Sequence, residues 1–130
     1  MFVAGRYELN SKIDAGLELI SALGVTELKP IEIRDLLYNL ITKDFSIIDE
    51  ILETAQKKKL LERTEKTFLM TPGASGLEFE KPKIVRQEER TNCKLCKKRL
   101  STGYFVVFKS HTYGPYGPSC IRKIYLDHLL

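Results

Sequence analysis

The stretch Asn92-Cys-Lys-Leu-Cys-Lys-Lys-Arg-Leu100, continued by Tyr104-Phe-Val-Val-Phe-Lys109 and Tyr113-Gly-Pro-Tyr-Gly-Pro-Ser-Cys-Ile121, holds all three cysteines of the 130-residue chain. Cys93 and Cys96 are spaced to share one tight turn, with both sulfurs on the same side. Cys120 falls where the first turn of a last helix begins, and there the helix dipole and the free N–H groups favour a thiolate. Between them, Tyr104 to Lys109 is the strongest strand signal in the chain, rich in β-branched and aromatic residues. Its partner is expected around residues 110–113. Gly-Pro-Tyr-Gly-Pro then supplies turns, and Ser119 is the expected cap of a helix running to Leu130. Three cysteines cannot all pair with one another, so metal ligation is a better reading than a secreted disulfide framework.

A structural zinc site is closed by Cys and His at four positions, and here only three thiolates are available. His111, on the returning strand, is the expected fourth ligand. His128 lies eight residues into the last helix, roughly 12 Å along its axis from Cys120. Water, a carboxylate from elsewhere and no metal at all remain as alternatives. The expected ligand set is therefore Cys93, Cys96, Cys120 and His111 around a structural Zn²⁺. A segment of this size has too little core to fold unaided, so zinc would contribute folding free energy directly. The order of knuckle, hairpin and helix N-terminus resembles the treble-clef zinc fold. Many treble clefs draw two ligands from the helix at Cys-x-x-Cys spacing; the first of those positions is Gly117 here, a departure from the pattern.

Outward from the cysteines, residues 71–91 read as a joint. Thr71-Pro-Gly-Ala-Ser-Gly76 carries chain breakers, Leu77 and Phe79 alternate with charges as an added edge strand would, and Pro82 argues against a central strand. The expected division is a larger domain at 1–80 and a metal module at 81–130. In the first, three amphipathic helices follow one another: a short one capped by Asn10 or Ser11 and stopped by Gly24, one opening at Pro30, and one from Asp44 or Ser46 to about Lys59. Their apolar stripes are Ile13, Leu17, Ile20 and Leu23; Ile33, Leu36, Leu37, Leu40 and Ile41; and Ile47, Ile48, Ile51, Leu52 and Ala55. Leu61 to Arg63 and Thr67 to Thr71 then read as a β-hairpin turning at Thr64-Glu-Lys66.

Three helices and a hairpin, with the phrase Leu60-Leu-Glu-Arg63, a turn, a short strand and Thr71-Pro72, resemble the winged helix-turn-helix superfamily over residues 9–71. That resemblance implies DNA binding by the third helix, which needs cationic or amide side chains on its outer face. The face opposite the isoleucines instead carries Asp49, Glu50 and Glu53, so a structural role or protein contact ranks ahead of groove reading. The fold class expected is α+β: a winged helix followed by a zinc-stabilised, treble-clef-like module. The layout from Cys93-Lys-Leu-Cys96 through Leu100-Ser-Thr-Gly-Tyr-Phe-Val106 to Gly114-Pro-Tyr-Gly-Pro-Ser-Cys-Ile-Arg-Lys123 also resembles a group of uncharacterised archaeal proteins. This implies a metal-binding, regulatory role and names no substrate.

Charge separates the two parts. Residues 1–80 carry ten Lys/Arg against fourteen Asp/Glu, net −4, and residues 81–130 carry eleven against three, net +8. Attraction to a polyanion must come from the second part. The leading reading is a zinc-stabilised, non-enzymatic nucleic-acid-binding protein associated with transcription, with DNA preferred over RNA. Lys94, Lys97, Lys98, Arg99, Lys109, Arg122 and Lys123 would supply the phosphate contacts. Tyr113 and Tyr116 are candidates for base stacking, though packing around the turns suits them better. The rival reading is an adaptor whose acidic helical face docks a protein partner while zinc serves structure alone. A dithiol enzyme built on Cys93 and Cys96 lacks the strand-to-helix setting of a thioredoxin motif. With no membrane-spanning run or signal peptide in view, the expected location is the cytoplasm.

Overall fold

The computed structural model describes residues 4–70, 82–109 and 112–130, with side chains from Ser11 onward. It is mixed α and β. Helix α1 spans Ala4–Ala22, strand β1 Glu27–Leu28, α2 Pro30–Leu40, α3 Phe45–Lys57, β2 Leu61–Arg63 and β3 Phe68–Met70. These are followed by β4 Lys83–Gln87, β5 Thr91–Asn92, β6 Arg99–Leu100, β7 Gly103–Val107, β8 Thr112–Tyr116, α4 Pro118–Lys123 and a short 3-10 helix, Asp127–Leu129.

The second and third helices form where capping chemistry and apolar spacing agree. Pro30 opens α2, and the Lys29 backbone N–H is received by the Glu32 carboxylate at 2.8 Å. Asp44 caps α3 by accepting from the Ser46 N–H at 2.9 Å. The α3 ladder ends with Lys59 in the left-handed region, φ +62, while the Lys59 N–H reaches Gln56 O and the Leu60 N–H reaches Ala55 O. That is a Schellman closure with lysine where glycine is usual. Helix α1 departs from expectation. It begins well before Asn10, so neither Asn10 nor Ser11 is its cap, and the whole run Ala15 to Ile20 is buried rather than one stripe. The reason is that α1 is covered on two sides. Gly16 lies against Ile51 of α3, so close that a Cβ there would stand 2.7 Å from two Ile51 carbons, and Leu19 lies with Val106, Phe108 and Tyr116 of the C-terminal sheet.

The hairpin β2–β3 turns through Thr64 and Thr67, whose hydroxyls lie 2.9 Å apart. Strand β1, which the sequence reading omitted, joins on the far side of β3, giving an antiparallel sheet in the order β1-β3-β2. The expected strand at Leu77 and Phe79 lies outside the described residues. The C-terminal sheet runs β4-β7-β8, antiparallel throughout, and β5 and β6 form a separate two-stranded ladder that carries the knuckle.

Two C-terminal expectations need correction. The partner of β7 extends to Tyr116, taking in Gly114-Pro115 that read as a turn; Gly114 adopts φ +130, and the register slips there by a bulge. The last helix is only one and a half turns long and starts at Pro118, with Gly117 rather than Ser119 as its cap. It ends because Tyr125 turns left-handed, φ +59, with the Tyr125 N–H on Arg122 O and the Leu126 N–H on Ile121 O. This second Schellman closure has no glycine to announce it.

The two parts of the chain share one buried cluster that contains Leu19, Leu37 and Ile51 together with Cys93, Val106, Tyr116, Ile121 and Leu126. Glu18, 6% exposed on α1, accepts the Lys109 N–H at 3.2 Å, and the Gly24 N–H reaches Tyr125 O at 2.8 Å. Among the described residues no helix is long and apolar enough to cross a membrane.

Candidate metal centre

The β5–β6 ladder pairs Thr91 with Leu100 and Asn92 with Arg99, leaving residues 93–98 as the loop that closes it. Within that loop the Cys93 N–H donates to Lys98 O at 2.8 Å and the Lys97 N–H to Cys93 O at 2.9 Å, a knuckle in which Lys97 takes φ +68. The Lys94 N–H reaches Pro115 O at 2.9 Å, so the knuckle is fastened to the end of β8. Strand β8 leads straight into Gly117 and α4, and the first turn of α4 delivers Cys120 to the same place. The Sγ atoms of Cys93, Cys96 and Cys120 all lie within 4.8 Å of one another. Cys93 and Cys120 are buried and Cys96 is exposed.

These residues fit a divalent metal ion. Thiolates bound at about 2.3 Å in a tetrahedral site stand roughly 3.8 Å apart, a spacing compatible with sulfurs that all lie within 4.8 Å of one another. The Gly117 N–H already points at Cys93 Sγ, 3.4 Å away. Burial raises the Cys93 pKa, but the N–H groups of Cys96, Gly117 and Leu95 and the Cys120 thiol outweigh it and bring the value down to about 7. For Cys120, burial comes first, and hydrogen bonding and charge from Cys96 and Cys93 push the thiol up to about 12. A bound cation would favour the ionised form of these sulfurs.

His111 lies outside the described residues. Its neighbour Thr112 pairs with Val107 at the opposite end of β8 from Gly117, about 15 Å away at ordinary strand rise. On the other side, Lys109 is held by Glu18. His128 stands beside Gly24, where a Cβ would come within 2.4 Å of its Nδ1, at the end of α1 and away from the thiols. Among the described residues no His, Asp or Glu joins the cluster.

Lys94, Lys97, Lys98 and Arg99 project from the knuckle, and Arg122 and Lys123 from α4, all exposed and close in the chain to the cysteines. Lys109 is exposed as well, but at the far end of β7, so the structure divides the seven cations into a group of six and an outlier. Tyr116 is 4% exposed and Tyr113 half-buried, edge-on to Phe108 with centroids 5.6 Å apart. Burial raises both pKa values. Their faces are spent on packing. Glu18 was missed by the sequence reading, although one acid inside Ala15-Gly-Leu-Glu-Leu-Ile20 is a visible signal.

Residues 12–128 match DUF5830, a family of unknown function. The chain belongs to DUF5830. No curated protein and no solved structure matches the chain. The match takes in the three thiols, the knuckle, α4 and nearly all of the described helices, so the DUF5830 segment contains the whole candidate metal centre.

Proposed function

We propose that this protein is a zinc-stabilised, non-catalytic nucleic-acid-binding protein of the transcription-associated kind, in which a winged helix is joined to a treble-clef-like finger. The observation that carries the reading is the convergence of Cys93, Cys96 and Cys120 within 4.8 Å, with exposed cations beside them in the chain on the knuckle and α4. The winged-helix reading is supported by the element order α1-β1-α2-α3-β2-β3 with sheet order β1-β3-β2. The treble-clef reading is supported by the knuckle, the β7–β8 hairpin and Cys120 in the first turn of α4. Zinc is preferred because a cytoplasmic thiolate cluster that organises a small fold is its usual setting. His111 is the proposed fourth ligand, with Cys93, Cys96 and Cys120.

Lys94, Lys97, Lys98, Arg99, Arg122 and Lys123 form the phosphate-contacting group, with DNA preferred over RNA. Charge reversal at Lys97, Lys98 and Arg99 together is expected to abolish retention of a labelled duplex. Wild-type affinity is expected to fall steeply with salt, since each neutralised phosphate adds about −0.9 to the logarithmic slope. Full binding after charge reversal would refute the reading. Metal analysis is expected to give one zinc per chain, weakened in His111→Ala and lost in Cys93→Ser.

A second reading, the adaptor, is favoured by one observation: α3 exposes Asp49, Glu50 and Glu53, with Phe45 61% exposed at its start and stacked on Tyr38. A stable protein partner recovered without any retention on heparin or DNA would support it.

A further inference from the structure

The register of the C-terminal sheet sorts its residues cleanly. Ile84 pairs with Val106 and faces the core, whereas Lys83 pairs with Val107, Val85 with Phe105 and Gln87 with Gly103 on the other side. Thr112 pairs with Val107 and shares that outer face, and Lys109 is exposed just beyond the end of β7. The outer face therefore has an apolar centre of Val85, Phe105 and Val107. Val85 is 40% exposed and Phe105 and Val107 are partly exposed. At its Gly103 end the face meets β5, where a Cβ on Gly103 would stand 3.3 Å from Thr91 Cγ2.

Phe105 sits over Gly114, where a Cβ would meet the Phe105 ring at 3.3 Å and its Cα at 3.1 Å. Next to the ring is a pocket of about 130 Å³ lined by Gln87, Glu89, Arg90, Thr91, Phe105 and Pro115 among others. It is large enough to admit several water molecules. Lys83 and Lys109 flank Val107 at one end, and Gln87 and Thr112 supply polar groups at the edges. Glu89 and Arg90 stand together among the described residues that line it.

We propose that this outer face binds single-stranded nucleic acid, with a base stacked on Phe105 and phosphates held by Lys83 and Lys109. The inference rests on the nucleic-acid reading above and adds to it a second surface and a strand type. A flat sheet face cannot enter a groove, but it suits unpaired bases lying on an aromatic ring between cations.

The chain contains no tryptophan, so Phe105→Trp places a unique fluorescent reporter on the face. Zinc-loaded full-length protein would be titrated with oligo(dT) and oligo(rU) single strands and with a duplex of equal length, following anisotropy of the labelled strand and tryptophan emission. The proposal expects the emission to be quenched by single strands and not by duplex. It expects Phe105→Leu, checked for unchanged zinc content, to weaken single-strand binding roughly tenfold. Lys83→Glu with Lys109→Glu should reduce the salt slope by about 1.4, the share of two phosphates on a single strand. Single-strand binding that is unaltered by Phe105→Leu and silent in the Phe105→Trp emission, yet lost on charge reversal at Lys97, Lys98 and Arg99, would overturn the proposal and leave the knuckle as the only binding surface. No binding of either strand form would remove the nucleic-acid reading itself. A wild-type dimer that Phe105→Leu converts to monomer in sedimentation would overturn the proposal in favour of a second copy.

Discussion

Gly117→Cys should convert a three-thiolate centre into a four-thiolate one. Gly117 is three residues before Cys120, its N–H lies 3.4 Å from Cys93 Sγ, and its backbone, φ −77 and ψ 163, is an extended conformation open to any residue. The added Cβ would meet Leu100 Cδ2 at 3.0 Å, a tight contact, but with the far end of a half-buried and mobile-rotamer side chain. Structural zinc binding is worth about 10–16 kcal/mol over four ligands, so a fourth thiolate contributes on the order of 3 kcal/mol. Shifting Leu100 costs about 1–2 kcal/mol. The balance is about 1–2 kcal/mol, roughly tenfold in affinity. Titration with Co²⁺ against a competing chelator reads both quantities: the thiolate-to-cobalt absorption should intensify, and the dissociation constant should fall. Leu100→Val in the same chain should deepen the gain by relieving the contact. If Gly117→Cys binds cobalt with the wild-type spectrum and affinity, the ion is not held where Cys93, Gly117 and Cys120 converge, and the reasoning fails.

Chelation of the metal, or Cys120→Ser, should lower the thermal midpoint of the entire protein in one transition, because the cysteines and α1 belong to a shared core; calorimetry showing an unchanged helical transition would contradict that. Gly16→Ala should destabilise the wild type by up to about 2 kcal/mol through overlap with Ile51, yet stabilise an Ile51→Ala background by about 1 kcal/mol from helix propensity. Urea titration of the four chains reads this, and additive effects would exclude the close α1–α3 packing. Lys59→Gly should raise stability by up to about 1 kcal/mol, since it relieves a left-handed lysine and loses some of the gain to chain entropy. The Ser46 hydroxyl and N–H hold the Asp44 carboxyl below its usual 3.8. Its contribution is therefore present above that value and declines as pH falls through the lower folded value, and Asp44→Asn should flatten the acid limb of the stability profile in this window.

The parts of the fold that were legible in the sequence are those governed by neighbours in the chain. Pro30 and Asp44 announced α2 and α3, Thr64 to Thr67 announced the β2–β3 turn, and Cys-x-x-Cys announced the knuckle. The parts that were not legible depend on distant packing. Helix α1 shows no single apolar stripe because α3 and the C-terminal sheet each claim a side of it, and an amphipathic reading finds only the first. Strand β1 is two residues long and exists because β3 has a free edge. Gly114-Pro115 carries a turn signature and is used inside a strand. Tyr125 ends α4 in a conformation its side chain disfavours, held by the burial of Leu126 against Ile121 rather than by a local signal. The metal centre divides the same way: the three cysteines follow from spacing, whereas the outlying place of Lys109 follows only from where β7 ends.

Glu18 has a consequence for how the protein can be taken apart. Cutting the chain between β3 and β4 would leave a carboxylate, together with Leu19 and Leu40, on a freshly wetted surface of one fragment, and the apolar underside of the sheet on the other. Each fragment would be the natural ligand of its counterpart. The halves are thus less like beads on a string than like a lock supplied with its key, and separately expressed fragments should recombine on mixing.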